Sequence, residues 1–187
     1  MDVRPAETRC VLLDRDGVIN RNRPGYVKHV RELALLPGSK EALARLAAAG
    51  YRVLVVTNQP GVGKGLISEA DLTEIHSALL CRIRRKGGRV DAFYVCPHAA
   101  DEGCDCRKPR PGLIHRAARD WDLDLACTWF VGDSTKDVGA ARAAGCRMAL
   151  VATGDGRETA EAFPDVPLFT DLLSFVRFLL ANDQPTA

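Results

Sequence analysis

Six short apolar runs recur along the chain, at residues 10–13, 52–57, 92–96, 128–131, 148–152 and 167–169, with helical patterns between most of them. This alternation constrains the fold more than any other feature. Strands buried on both faces read as continuous apolar runs, and strands alternating with helices of 10–15 residues build βαβ units around a parallel sheet. The helical patterns fall at 39–49, from Ser68 onward, and at 111–120, 135–144, 158–163 and 171–182. The first is rich in alanine and leucine and stops at Gly50, a helix-ending residue. The second opens with Ser68 and Asp71, an imperfect capping box. Its apolar face is Leu72, Ile75, Leu79 and Ile83, and its cations gather near its end. The expected fold is α/β: a Rossmann-like, doubly wound parallel sheet with helices on both faces and no large cap domain. No repeat or low-complexity linker divides the chain, so residues 1–187 read as a single domain.

Composition narrows the partners. Hydrophobic residues make up 47% and charged residues 27%, the balance of a globular domain with a sizeable core. A net charge of +2 is too small for bulk attraction to nucleic acid or a membrane surface. No apolar run reaches the roughly 18 residues of a membrane span. The stretch from Met1 to Glu7 is polar and lacks the apolar core of an export signal, and seven cysteines is an odd number for a disulfide framework. The expectation is a cytoplasmic monomer acting on a small molecule.

In an open α/β sheet, ligands bind beyond the carboxyl ends of the strands. The polar residues that follow the apolar runs are therefore the candidates. Asp14-Arg15-Asp16-Gly17-Val18-Ile19-Asn20 puts two carboxylates two residues apart after the first run. One can attack an electrophile while the other moves a proton or helps hold a cation; alone, the segment could equally be an acidic turn closed by Gly17. Thr57-Asn58-Gln59 ends the second run with a hydroxyl and two amides, groups suited to a phosphate or simply to a turn. Arg107-Lys108-Pro109 could supply a fork and a point charge for phosphoryl oxygens, or alone be solvated cations of a surface loop. Gly132-Asp133-Ser134-Thr135-Lys136-Asp137 places Asp133 at a strand mouth, where Mg²⁺ takes carboxylate oxygen, and Asp137 in the first turn of a helix, where it can favour the helix dipole, coordinate the ion or, as the preferred reading, support the site from outside. Gly61-Val62-Gly63-Lys64-Gly65 lacks the spacing and the hydroxyl of a nucleotide P-loop.

Cys96, His98, Cys104 and Cys106 lie within 11 residues. Three thiols and an imidazole form a structural zinc set, whereas a redox pair more naturally reads Cys-x-x-Cys. Cys10, Cys81, Cys127 and Cys146 stand in or beside apolar segments and are expected to be small core residues. His29, His76 and His115 are isolated and receive no chemistry.

Together these segments resemble the haloacid dehalogenase superfamily, in its aspartate-nucleophile phosphatase branch, over nearly the whole chain. The four motifs correspond to Asp14 through Asn20, to Thr57-Asn58-Gln59, to Lys108 and to Gly132-Asp133. The cysteine loop resembles the zinc-loop subgroup, which holds D-glycero-D-manno-heptose 1,7-bisphosphate 7-phosphatases and histidinol-phosphate phosphatases. The resemblance implies that Asp14 is the nucleophile and Asp16 the general acid and base. It implies that Thr57 and Lys108 stabilise the transferring group, and that Asp14, Asp133 and the Asp16 backbone carbonyl hold Mg²⁺. It further implies that Asn22, Gly25, Tyr26, Asn58 and Arg107 border the substrate.

Gly25-Tyr26-Val27 and the absence of a second catalytic domain favour the heptose reading, in nucleotide-activated heptose and lipopolysaccharide core biosynthesis. Histidinol phosphate is the alternative, since the short gap between His98 and Cys104 occurs with both. A 3′-phosphatase of nucleic-acid ends would want a basic groove with stacking aromatics, and aromatic content is 6%. A non-catalytic zinc-binding module would have lost one of Asp14, Asp16, Lys108 or Asp133, and all four are present.

Overall fold

The computed structural model describes residues 9–182. The stretch from Met1 to Glu7, read above for an export signal, and the two ends of the single-domain assignment lie outside the described residues. Six strands, β1 (Cys10–Leu13), β2 (Arg52–Asn58), β3 (Ala92–Cys96), β4 (Trp129–Gly132), β5 (Arg147–Val151) and β6 (Leu168–Phe169), alternate with six helices. These are α1 (Ser39–Ala48), α2 (Glu69–Arg84), α3 (Gly112–Trp121), α4 (Thr135–Ala144), α5 (Gly156–Ala162) and α6 (Leu172–Asn182). All strand pairs are parallel and the sheet order is β3-β2-β1-β4-β5-β6.

Alternation along each strand assigns the two faces. Val11, Leu13, Val53 and Val55 pack with Leu43 and Leu46 of α1, Ile75 and Leu79 of α2, and Phe175 of α6. Cys10, Leu12, Leu54 and Val56 pack with Leu113 and Ile114 of α3 and Val138 and Ala141 of α4. Both faces are thus covered, which is why the strands are apolar throughout rather than alternating. The chain leaves β1 toward β2 and β3, then crosses back to enter β4 on the other side of β1. That reversal opens a crevice beyond the carboxyl ends of β1 and β4.

Element types match the sequence reading, and the boundary differences have local causes. The second run continues one residue further because Thr57 and Asn58 still pair with Val95 and Cys96. Thr128 drops out of β4 because its hydroxyl turns back to the Asp124 carbonyl at 2.6 Å. Asp71 completes the capping box of α2: its carboxylate accepts the Ser68 N–H at 3.2 Å while Ser68 Oγ accepts the Asp71 N–H at 3.0 Å. The shorter acid therefore does the work expected of Glu, worth about 1 kcal/mol at a helix start. Gly50 ends the first helix region with φ of 80°. The assignment of four cysteines to the core needs correction. Cys10 is buried, but Cys81 and Cys127 are exposed. Cys81 lies two residues from Leu79 and from Ile83, which turns it off the buried stripe of α2. Among the described residues no helix is long and apolar enough to cross a membrane, and no connection between strands carries an inserted domain.

Candidate active site

Asp14 follows β1, and its N–H still donates to the Val131 carbonyl of β4 at 2.9 Å, so the sheet fixes its position. The chain then turns sharply. Gly17, with φ of 85°, donates to the Asn20 carbonyl at 2.7 Å, and the Thr153 hydroxyl holds the Gly17 carbonyl at 2.6 Å. Glycine is required here twice over, by the left-handed backbone and because a Cβ would overlap the Asp133 carboxylate. Gly154 meets Asp133 in the same way.

Lys108 is the electrostatic centre. Its Nζ lies 2.8 Å from Asp14 Oδ1 and 2.6 Å from Asp137 Oδ1, and it donates to the Val56 carbonyl at 2.9 Å. The side chain is only 3% exposed. Burial alone would favour neutral lysine, but Asp137 and Asp14 more than offset it and raise the Lys108 pKa. Asn58 holds the Lys108 backbone from both sides, its Nδ2 donating to the carbonyl and its Oδ1 accepting the N–H, each at 3.1 Å.

Asp137 sits one helical turn beyond Asp133. Its Oδ2 accepts N–H bonds from Asp133 at 3.2 Å and Ser134 at 3.0 Å, and the Ser134 hydroxyl at 2.7 Å. Any Cβ at Gly132 would strike this carboxylate. Asp137 is therefore an anchor for Lys108 and for the start of α4.

The remaining carboxylates strain against one another. Burial pushes Asp14 up to about 6 against the pull of Lys108, with repulsion from Asp137 and Asp16 adding. Burial, then the charges of Asp14 and Asp137, push Asp133 up to about 8. Carboxylate oxygens of Asp14, Asp133 and Asp137 all lie within 4.8 Å of one another. With Asp137 committed to Lys108, Asp14 and Asp133 form a hard-oxygen pair that fits a divalent cation such as Mg²⁺. Such a cation would offset both the burial and the mutual repulsion that raise their proton affinity.

Asp16 has the opposite environment. Arg15 Nη2 touches both its oxygens, at 2.9 and 2.8 Å, Asn20 Nδ2 donates to Oδ1 at 2.8 Å and Gln59 Nε2 to Oδ2 at 2.7 Å. Burial would raise its pKa, but Arg15 and these donors win and hold it below the ordinary aspartate value.

One cleft is lined by Asp14, Asp16, Asn22, Tyr26, Asn58, Arg107, Lys108 and Asp133. Arg23 and Lys136, which sequence reasoning did not single out, line it as well. Two expected residues do not line it. Thr57 is 1% exposed, and its hydroxyl accepts the Gln59 amide at 2.9 Å. Gly25 instead makes the turn before Tyr26, the two having φ of 78° and 72°. Tyr26 Oη meets Lys64 Nζ at 3.0 Å, and Arg107 donates to the His98 carbonyl at 3.1 Å. Arg15, Asn20 and His76 also escaped the sequence reading of roles, and Gln59, read as suited to a phosphate, donates to Asp16 instead. A polar side chain one or two places from a catalytic aspartate signals Arg15, but only the fold brings His76 to it.

The cysteine loop follows β3 directly. Cys96 Sγ lies 3.7 Å from Cys104 Sγ and 3.6 Å from His98 Nδ1; Cys106 Sγ lies 3.4 Å from Cys104 Sγ and 3.2 Å from His98 Nδ1. A zinc–sulfur bond of about 2.3 Å implies a tetrahedral edge of about 3.8 Å. The four donors are therefore spaced for a small tetrahedral site. Two residues later the same loop presents Lys108.

A doubly wound sheet, an Asp-x-Asp at the end of β1, a buried lysine and an acidic β4 end define a hydrolase of the haloacid dehalogenase type. A HAD-hydrolase-like family model matches residues 105–173. The chain is 42% identical over 174 residues to a D-glycero-beta-D-manno-heptose-1,7-bisphosphate 7-phosphatase of Pseudomonas putida, covering 92% of this chain and 99% of that one. The corresponding Bordetella bronchiseptica protein is 46% identical over 151 residues, 81% of this chain and 84% of its own. A crystal structure of the B. bronchiseptica D,D-heptose 1,7-bisphosphate phosphatase, complexed with magnesium and phosphate, superposes with a TM-score of 0.90. It is 42% identical and covers 92% of this chain and 98% of that one. The chain belongs to this family of D-glycero-D-manno-heptose-1,7-bisphosphate 7-phosphatases, which are phosphoric monoester hydrolases.

Proposed function

We propose that the protein hydrolyses the 7-phosphate of D-glycero-D-manno-heptose 1,7-bisphosphate through a phosphoaspartate, in the making of nucleotide-activated heptose for the lipopolysaccharide core. The observation that carries this reading is the pairing, in one cleft, of Asp14 held by Lys108 with Asp16 held by Arg15, Asn20 and Gln59.

Asp14 attacks phosphorus in line; its carboxylate oxygen bonds to phosphorus as the bond to O7 breaks. Asp16 gives the leaving alkoxide a proton, then takes one from the water that cleaves the acyl phosphate, releasing Asp14 and inorganic phosphate. Lys108 balances the charge on the transferring group, and Thr57 closes the phosphate pocket from beneath through Gln59. Asp14, Asp133 and the Asp16 backbone carbonyl are the residues to hold Mg²⁺, which supplies charge neutralisation between nucleophile and phosphate. Cys96, His98, Cys104 and Cys106 hold zinc, which fixes the loop that presents Arg107 and Lys108. Asn22, Tyr26, Asn58 and Arg107 line the path of the sugar, with Gly25 setting the turn that presents Tyr26. The second phosphate is a charged anchor for Arg107, and it aids the chemistry to the extent that it aligns the arm for attack.

The reading includes action as a cytoplasmic monomer. The test is kcat/KM for both anomers of the heptose bisphosphate and for histidinol phosphate, with wild type and Arg107→Ala. The bisphosphate should be preferred and should lose far more than a monophosphate when Arg107 is removed. A tenfold preference for histidinol phosphate would replace this assignment.

A further inference from the structure

Behind Asp16 a column of side chains runs through Arg15 to His76 and Phe93, two residues that the reaction scheme leaves unused. Arg15 is fully buried, and its guanidinium faces two ways. Nη2 grips both oxygens of Asp16, and Nη1 lies 3.2 Å from His76 Nε2 on α2. Arg15 Nε is buried with no hydrogen-bond partner. A guanidinium only donates, so His76 Nε2 must accept and the imidazole is neutral, with its proton on Nδ1. Burial, then the charge of Arg15, hold His76 down to about 3. The ring is fixed in turn by Phe93 of β3, stacked at 4.2 Å between centroids and 11° between planes.

We propose that His76 is a positioning residue for the general acid: its neutral imidazole anchors Arg15, and Arg15 sets the orientation of the Asp16 carboxylate at the leaving oxygen. The proposal rests on the phosphatase reading above and adds a residue to its acid–base half. Without His76, Nη1 is a buried donor with no acceptor, an arrangement that favours rotation of the guanidinium or entry of water. Either displaces the group that touches both Asp16 oxygens. Asn20 reaches only Oδ1 and Gln59 only Oδ2, whereas Arg15 bridges the two and so sets the plane of the carboxylate. Phe93 keeps the imidazole in the plane that aims Nε2 at Arg15.

A structural role and a positioning role differ in which substrates suffer. An alkyl phosphate needs its leaving oxygen protonated, whereas p-nitrophenolate departs unaided. kcat/KM reports only the steps through phosphoenzyme formation, so it isolates acid help from later attack by water. His76→Leu should lower kcat/KM on the sugar bisphosphate roughly 10-fold or more, short of the full loss of a general acid. It should change p-nitrophenyl phosphate by less than about threefold. His76→Gln, whose carbonyl oxygen can accept from Arg15, should recover most of the alkyl rate. Should His76→Leu fail to fold, Phe93→Leu keeps the acceptor and loosens the ring, and should give the same ester dependence at smaller size. Equal losses on both esters, or a glutamine variant no better on the alkyl ester than leucine, overturn the positioning role. Hydrolysis of neither ester by wild type would instead remove the phosphatase reading beneath it.

Discussion

The two ligand-bearing regions of this molecule are built on opposite plans. The cysteine loop gathers Cys96, His98, Cys104 and Cys106 within 11 residues, close enough that a metal alone could order them. The carboxylate site draws Asp14 from β1, Lys108 from the loop after β3, and Asp133 and Asp137 from the junction of β4 and α4. Nothing local holds these together; the sheet does, with Lys108 balancing Asp14 and Asp137 while Asp133 faces the charges of both aspartates. A local site can fail without loss of the fold. A dispersed site fails by charge imbalance inside the core.

The largest effect expected from that contrast is at the nucleophile. Asp14→Asn should cut steady-state turnover by roughly 10⁴-fold or more, since an amide cannot accept the phosphoryl group. The purified variant should keep the wild-type circular dichroism spectrum. Asp16→Ala should lose roughly 10²–10⁴-fold, the usual worth of acid–base help, and should accumulate phosphoenzyme in rapid-quench experiments. Near-normal rates for either variant would break the division of labour between the two aspartates.

Lys108→Met tests charge balance directly. It leaves Asp14 and Asp137 buried without their common cation, and breaking such a buried pair costs about 3–5 kcal/mol. Chemical denaturation should show a loss of that order, with smaller loss when Mg²⁺ is present. The cysteine loop should behave differently. Protein purified without added metal should contain about one zinc per chain, given the tetrahedral donor set. Exhaustive chelation followed by Mg²⁺ alone should leave activity depressed, through misplaced Arg107 and Lys108, while the sheet stays folded. Full activity with no bound zinc would erase the distinction between the two regions.

The smallest effect is a pH dependence. Asp133, raised from 3.8 to about 8, and Asp14, raised to about 6, bind protons more tightly folded than unfolded. Their favourable contribution is full below pH 3.8 and is lost as pH rises through 6 and then 8. Metal-free protein should therefore melt a few degrees lower at pH 8.5 than at pH 6, about 2–4 °C per kcal/mol for a domain this size. Mg²⁺ should stabilise more at the higher pH, where both ligands are ionised. A flat metal-free profile would mean that these carboxylates are already balanced by another group.

The contrast also explains what could be read in advance. The cysteine loop was legible because its information is spacing, which a sequence displays. Asp14 and Asp133 were legible because each follows an apolar run and strand ends converge in this fold class; Lys108 was legible from the Arg107-Lys108-Pro109 run and its match to the superfamily's third motif. The order of the strands brings them together, and only the alternation of elements hints at it. Thr57 shows that a strand-end hydroxyl can face inward, where it meets Gln59, a placement that the sequence alone does not display. His76 could not be found at all. It lies 61 residues from Arg15, on a helix whose buried stripe is Leu72, Ile75, Leu79 and Ile83, so it reads as an ordinary neighbour of the core. Cys81 shows the converse: an apolar setting in sequence does not say which side of a helix a residue takes, and Cys127 lies in the turn before β4.

The covalent role of Asp14 is the claim on which the rest stands. Acid quenching of the Asp16→Ala variant during turnover of the heptose bisphosphate, with peptide mapping by mass spectrometry, tests it most directly. Phosphate attached to Asp14, and absent when Asp14→Asn is added to the same variant, is the predicted result. Phosphate on another residue, or turnover by Asp14→Asn with no trapped species, would contradict the account.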